Sequence, residues 1–330
     1  MRKYKALFYL SGGLYSLFLY LLISGYKKEE TLFLFTNKAK IPSFIKKQIS
    51  YIKYFVLNRG SILYYVCRFH SGLVTRILSR KYRKTPFYLV SNGPFVHFFD
   101  NIIAIEDGLM SYLMVDAGFV VHPRKNKFSN WFFGPDYPDY GCSDKVHKIY
   151  MTGIRPIPEV FREKAQIVNI QQLWDKKSKT EQEEIISLFF PDNFDITRFS
   201  DRKNLLLTQP LSEDGWTTEK DKIELYKLLL SSYDEEDLTI KVHPRDETDY
   251  SVFFPKAVII DYPCPMELLT LMGFKITTAI TVNSTAISLL DNCVTKIMLD
   301  IDDCLTLMNY KGKEGMKQLL TEHYFQNTGR

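Results

Sequence analysis

The 330-residue chain is 45% hydrophobic and 25% charged, which suits a globular protein with real cores and is comfortable for two domains of about 150 residues each. Its net charge of +5 hides an asymmetry: residues 1–90 hold 17 Lys and Arg against only Glu29 and Glu30, leaving the other 240 residues at −10. Five widely spaced cysteines (Cys67, Cys142, Cys264, Cys293 and Cys304) with no C-x-x-C pair argue against a disulfide framework or a zinc site and point to a reducing cytoplasm.

Residues 6–26 are uncharged and mostly apolar behind Arg2, Lys3 and Lys5, and so imitate a signal or membrane anchor. Ser11-Gly12-Gly13 splits the run into a strand (5–10) and a helix (14–23), the usual opening of an α/β domain, and that reading is preferred. Residues 31–36 read as a second strand, 42–57 as a helix, and 61–65 as a third strand before a basic helical stretch to Lys84. In the segment from Phe44 to Phe55, Lys46, Lys47 and Lys53 interrupt an apolar stripe, which fits a membrane-surface helix and, almost as well, a solvated helix face. The basic first part suits an anionic lipid surface or an anionic substrate, and no nucleic-acid motif accompanies it. Residues 87–90 and 101–105 are strands, the first entering the Ser91-Asn92-Gly93-Pro94 loop and the second ending at Glu106-Asp107-Gly108.

From Pro123 to about Arg198 the pattern fades into aromatic and proline-rich loops with one polar helix around residues 177–188. A second α/β series then starts: strands at 204–208, 238–242, 257–260, 275–282 and 296–299, with helices at 219–232, 265–272 and 284–290. Alternating strands and helices imply parallel sheets with helices on both faces. The expected domains are 1–198 and 199–330. G-x-G-x-x-G is absent, which removes the dinucleotide-binding fingerprint.

Three segments stand out as chemistry. In Ile240-Lys241-Val242-His243-Pro244-Arg245 the proline holds His243 extended at the end of a strand, where open α/β sheets bind ligands. Glu106-Asp107 ends a strand in the first half, and Ser284-Thr285 opens the 284–290 helix in the second. Each has a plain structural alternative. Carboxylate pairs before glycine are usually turns, and Glu213-Asp214-Gly215 is a second copy, ranked lower because it follows a proline loop. A second Val-His-Pro-Arg at 121–124 lacks a βαβ neighbourhood. Asp300-Ile301-Asp302 reads as turn acid rather than a metal motif, and His70, His97, His147 and His323 read as structural.

In their order, Glu106-Asp107-Gly108, His243-Pro244 and Ser284-Thr285 resemble the bacterial sialyltransferases that carry a D/E-D/E-G motif, an H-P motif and a paired Ser/Thr motif. The lipooligosaccharide sialyltransferase family is the nearest likeness, with polysialyltransferases as relatives; residues 205–213 share it, and it spans roughly residues 100–290 as islands. The resemblance implies a GT-B fold, two Rossmann-like parallel-sheet domains facing a central cleft. The first domain would hold the acceptor and the second the nucleotide sugar. It implies inverting, metal-independent transfer of sialic acid from CMP-sialic acid to a sugar hydroxyl, with a terminal galactose of a bacterial surface glycan as the expected acceptor. Glu106 or Asp107 would be the base, Asp107 being favoured because Gly108 beside it lets the acceptor approach. His243, protonated or hydrogen-bonding, would neutralise the leaving phosphate. Pro244, Glu267, Ser284, Thr285 and Thr208 would line the donor, with Glu267 on the ribose hydroxyls; Gly12, Gly13 and Asn92 would line the acceptor. No cofactor or metal is expected, nucleic acid is not a partner, and a homodimer is compatible with the chain. The site of action would be the cytoplasm or the inner face of the plasma membrane. The alternatives are a polysialyltransferase or another GT-B nucleotide-sugar transferase and, from a different class, a non-catalytic protein binding a membrane surface or anionic glycan.

Overall fold

The structure, a computed structural model, describes residues 4–10, 13–36, 39, 41–54, 62–90, 97–108, 111–112, 115, 141–191, 194–199, 202–284, 286–287, 290 and 293–300. The chain forms two compact units, Met1–Pro191 and Asp192–Arg330, whereas the sequence reading set the boundary after residue 198.

The first unit is built on a sheet of β1 (Ala6–Leu10), β2 (Thr31–Thr36), β3 (Tyr51–Tyr54), β4 (Phe87–Leu89), β5 (Ile102–Ile105), β6 (Val146–Met151) and β7 (Ala165–Ile167), in the order β3-β2-β1-β4-β5-β6-β7 and parallel at every pairing. Its helices include α1 (Leu14–Ile23), α2 (Ser43–Gln48), α3 (Ile62–Tyr82), α4 (Ile170–Asp175) and α5 (Lys179–Phe189). Central strands of a parallel sheet are covered on both faces, which is why β1 (ALFYL) and β2 (TLFLFT) are continuous apolar runs buried at every position. The edges behave differently. β3 exposes Tyr51 and Lys53, whose charge discourages further pairing at that edge, and β7, only 3 residues long, exposes Gln166 and Ile167.

Alternation along β1 divides the core between two layers. Phe8 faces α1, stacking on Tyr20 at 4.5 Å, and the Tyr20 hydroxyl bonds Thr31 at 2.7 Å. Phe18, further along α1, meets Phe189 of α5 edge-on at 6.0 Å. Leu7 and Tyr9 face the other way, into a cluster with Leu34, Leu78, Tyr82, Phe87 and Leu89 that seats the inner side of α3. The helix α1 is therefore apolar all round because it is enclosed. Among the described residues no helix is long and apolar enough to cross a membrane.

The second unit repeats the plan with β8 (Asn204–Leu207), β9 (Leu238–Lys241), β10 (Val258–Ile260), β11 (Thr278–Val282) and β12 (Thr295–Leu299), ordered β10-β9-β8-β11-β12 and all parallel. With them run α6 (Glu219–Leu230), capped by the Thr218 hydroxyl on the Asp221 N–H, and α7 (Met266–Leu271).

Four expectations are corrected. The helix read across 42–57 stops at Gln48 and is followed by β3, because β-branched Ile49 and Ile52 with Tyr51 and Tyr54 suit a strand and β2 offers an edge to pair with. The strand read at 61–65 is instead the start of α3, where helical context overrides the β preference of its aromatic and branched residues. The faded region contains β6, β7 and α4; β6 mixes His147 and Lys148 into its apolar positions, and β7 is only 3 residues long. Lastly, the expected helix at 284–290 is, in its described residues, a tighter turn, with Ile287 N–H bonded to the Ser284 carbonyl and Leu290 N–H to that of Ile287, both three residues apart. Asn283 before it adopts a left-handed φ of 54°, which ends β11 sharply.

Candidate active site

Doubly wound sheets bind ligands at the carboxyl ends of their strands, near the point where strand order reverses. That point lies between β1 and β4 in the first unit and between β8 and β11 in the second.

In the first unit β5 delivers the two adjacent carboxylates to very different settings. Glu106 is fully buried. It accepts hydrogen bonds from the Tyr15 hydroxyl of α1 at 2.7 Å, the Tyr112 hydroxyl at 3.0 Å, the Thr152 N–H at 2.9 Å, and the Thr152 hydroxyl. Four donors saturate the carboxylate, so Glu106 ties the ends of β5 and β6 to α1. Asp107 is only half-buried, and its one side-chain partner among these bonds is the Ser16 hydroxyl at 3.3 Å. Burial raises its carboxyl above the usual aspartate value; the Ser16 bond opposes this and the Glu106 charge adds to it. Its backbone N–H donates to the Ser111 hydroxyl at 2.7 Å, fixing the turn. Gly108 follows at φ 57° with open space where a side chain would stand, so a ligand can approach Asp107 there. Gly13 at the start of α1 also faces open space. Gly12 and Asn92 lie outside the described residues.

In the second unit the ends of β8, β9 and β11 bring Thr208, His243 and Ser284 to one edge of the sheet. Buried Thr208 accepts the His243 N–H on its hydroxyl at 3.0 Å, so its first observed role is to hold the His243 backbone. His243 is half-buried, and its Nδ1 accepts the Arg245 N–H at 3.2 Å. Burial, with the nearby Arg245 and Lys241 charges, pushes the imidazole down to about 4. At neutral pH the ring is thus uncharged, and an accepting Nδ1 assigns its proton to Nε2, leaving that N–H as the donor. Pro244 is exposed, Glu267 sits half-buried in the first turn of α7, and Ser284 is buried behind Asn283. Thr285 lies outside the described residues, as do residues 121–124 and Ile301-Asp302.

Sequence reading missed two features. Lys241 is buried at the end of β9 and, among the described residues, forms no ion pair; strand alternation puts it on the same side as His243, which was the available signal. Second, Lys222 of α6 is fully buried and gathers three carboxylates, with Glu213 at 3.0 Å, Glu219 at 2.9 Å and Asp246 at 2.9 Å. Asp246 also accepts the Tyr250 hydroxyl at 2.7 Å, and Glu213 accepts the Glu247 N–H at 2.8 Å. Burial opposes ionisation of Glu213, but the Glu247 N–H and the Lys222 ammonium outweigh it and hold the carboxyl at about 2. Asp214 forms a two-pronged ion pair with Arg245. The second Glu-Asp-Gly is thus a clamp on the His243-Pro244-Arg245 turn. His147 Nε2 bonds the Asp100 carbonyl at 2.7 Å, a structural contact. No group of three or more His, Cys, Asp or Glu among the described residues could hold a metal ion.

Residues 86–301 match glycosyltransferase family 52. Over 184 residues the chain is 38% identical to an uncharacterized protein of Haemophilus influenzae, covering 55% of this chain and 56% of that protein, so the likeness spans little more than half the relative's length. Among solved structures it is similar to a 2,6-sialyltransferase of Photobacterium sp. JT-ISH-224 in complex with CMP and lactose, at a TM-score of 0.57 and 12% identity over 89% of this chain and 71% of that one. It is also similar to the GT-B domain of a Photobacterium damselae sialyltransferase, at a TM-score of 0.54 and 11% identity over 96% of each chain. At such identities the likeness speaks for the fold, and the two parallel-sheet units form the GT-B fold expected from the sequence.

Proposed function

The chain belongs to glycosyltransferase family 52, and on that premise we propose that it is a sialyltransferase that moves sialic acid from CMP-sialic acid to a sugar hydroxyl, a terminal galactose of a bacterial surface glycan. The transfer inverts the anomeric centre and needs no metal. The observation that carries this reading is the contrast between the two strand-end groups: a half-buried carboxylate with raised proton affinity after β5, and a neutral imidazole after β9.

Asp107 accepts the proton of the attacking hydroxyl as its oxygen bonds the anomeric carbon. A raised pKa makes it the better base of the two carboxylates, since Glu106 has no lone pair to spare. The sugar carbon passes through an oxocarbenium-like state while its bond to the CMP phosphate oxygen breaks. His243 donates its Nε2–H to that phosphate as charge builds there, and the Lys241 ammonium two residues earlier adds positive potential. Ser284 supplies a hydroxyl to the same phosphate, and Glu267 accepts the ribose hydroxyls. The donor therefore belongs to the second unit and the acceptor to the first. Binding of CMP by the Photobacterium enzyme supports the donor's nucleotide.

A thermal-shift panel tests the donor directly. CMP at 100 times its Kd stabilises the folded protein by about 2.7 kcal/mol, and UDP and GDP leave the melting curve unchanged. Stabilisation by UDP or GDP with none by CMP overturns the choice of donor.

A further inference from the structure

The helix α3 carries a row of apolar residues on its outer face in addition to those that it buries. Its inner face is lined by Ser71, Thr75, Leu78 and Tyr82, all buried, with Val74 packed beside the core. Two of those four are small and polar, and they bond back into the helix itself, Ser71 to the Cys67 carbonyl at 2.9 Å and Thr75 to the Ser71 carbonyl at 2.7 Å. The outer face carries Val66 at 57%, Phe69 at 56%, Leu73 at 45% and Ile77 at 57% exposure. Steps of three and four residues place these four on a single stripe about three turns long. Scattered exposed hydrophobics are unremarkable, but a contiguous stripe on one helix is not.

Charge settles what covers it. At 100° per residue Arg80 falls at the stripe's end, Arg76 on one flank and His70 and Lys81 on the other. Arg80, His70 and Lys81 are exposed. The helix contains no Asp or Glu, and it lies within the 90-residue segment whose balance is +15. An apolar stripe flanked by cations matches the headgroup–acyl boundary of an anionic bilayer, where apolar chains enter the lipid and Arg and Lys reach the phosphates. The same cations would repel an identical face on a second copy. With its arginines and lysine, α3 fails as a membrane-crossing segment and suits lying in the surface plane.

We infer that α3 docks the protein on an anionic membrane surface through Val66, Phe69, Leu73 and Ile77. This relocates the membrane-surface helix expected at 44–55, a stretch that is split between α2 and β3. The inference is independent of the proposed chemistry.

The test is co-sedimentation of the full chain with phosphatidylcholine vesicles with and without phosphatidylglycerol, alongside the Leu73→Ser/Ile77→Ser variant. Both side chains are exposed, so the variant keeps the parent's thermal unfolding. The parent sediments with the anionic vesicles and much less with the neutral ones, and the variant binds the anionic vesicles about tenfold or more weakly. Absence of parent binding, equal binding by the variant, or equal binding to neutral vesicles overturns the inference. So does a parent that elutes from size exclusion as a dimer while the variant elutes as a monomer, because the stripe then joins two copies.

Discussion

Replacing Glu106 and Asp107 one at a time separates the two carboxylates by opposite signatures. Glu106→Ala removes the acceptor for Tyr15, Tyr112 and both donors of Thr152. Tyr15 and Thr152 are half-buried and regain water, but Tyr112 is fully buried. Leaving the Tyr112 hydroxyl without its acceptor costs about 1–3 kcal/mol, and the weaker losses at Tyr15 and Thr152 bring the total to about 3 kcal/mol. Asp107→Asn behaves the other way. Burial disfavours the aspartate charge, so removing it leaves stability at neutral pH unchanged or slightly raised, and the asparagine carbonyl still offers an acceptor to the Ser16 hydroxyl. Its turnover falls by about 10²–10⁴, the range for losing a general base. Native-state hydrogen exchange on β5 and β6 reads the first effect as roughly two decades faster exchange in Glu106→Ala. A stable but inactive Glu106→Ala, together with an active Asp107→Asn, would reverse the assignment.

Lys222→Met leaves Asp246 buried without its counter-charge and should destabilise the second unit by about 3–5 kcal/mol, read from the exchange of β8 and β9. Glu213 is held near 2 in the folded protein, so its contribution is complete above the ordinary glutamate value and is lost as pH falls toward 2. The gap between Lys222→Met and its parent therefore narrows below about pH 4, and a gap that widens there contradicts the clamp. NMR titration of the ligand-free protein should find His243 protonating near 4, and stability should fall between the free-imidazole value and that point as pH drops. His243→Gln, which keeps an N–H donor, should retain more activity than His243→Ala; equal loss in both would mean a charged imidazole is required.

Much of the scaffold was legible because parallel-sheet cores write their burial into the sequence. ALFYL, TLFLFT and NLLL are apolar through their centres because both faces are covered, and a glycine or proline follows each of them (Gly12, Pro42 and Pro210). His243 was legible for a related reason, since its proline fixes it at a strand end. The edge strands, and β6 beside one of them, were not. β3, β6 and β7 are short or half-solvated, and their pairing depends on the neighbour's edge more than on their own residues. The clamp around Lys222 was invisible in one dimension, because it joins residues 213, 219, 222 and 246 from a loop, a helix and a second loop. The division of labour between Glu106 and Asp107 depends on Tyr15, Tyr112 and Thr152, which no local motif links to them.

Incubation of the protein with CMP-sialic acid and lactose in EDTA, followed by mass spectrometry, reaches the central claim most directly. The account predicts lactose heavier by one sialyl residue and an equal amount of free CMP, with neither product formed by Asp107→Asn or His243→Ala. Unmodified galactosides alongside transfer from a different nucleotide sugar, or full product from either variant, would contradict it.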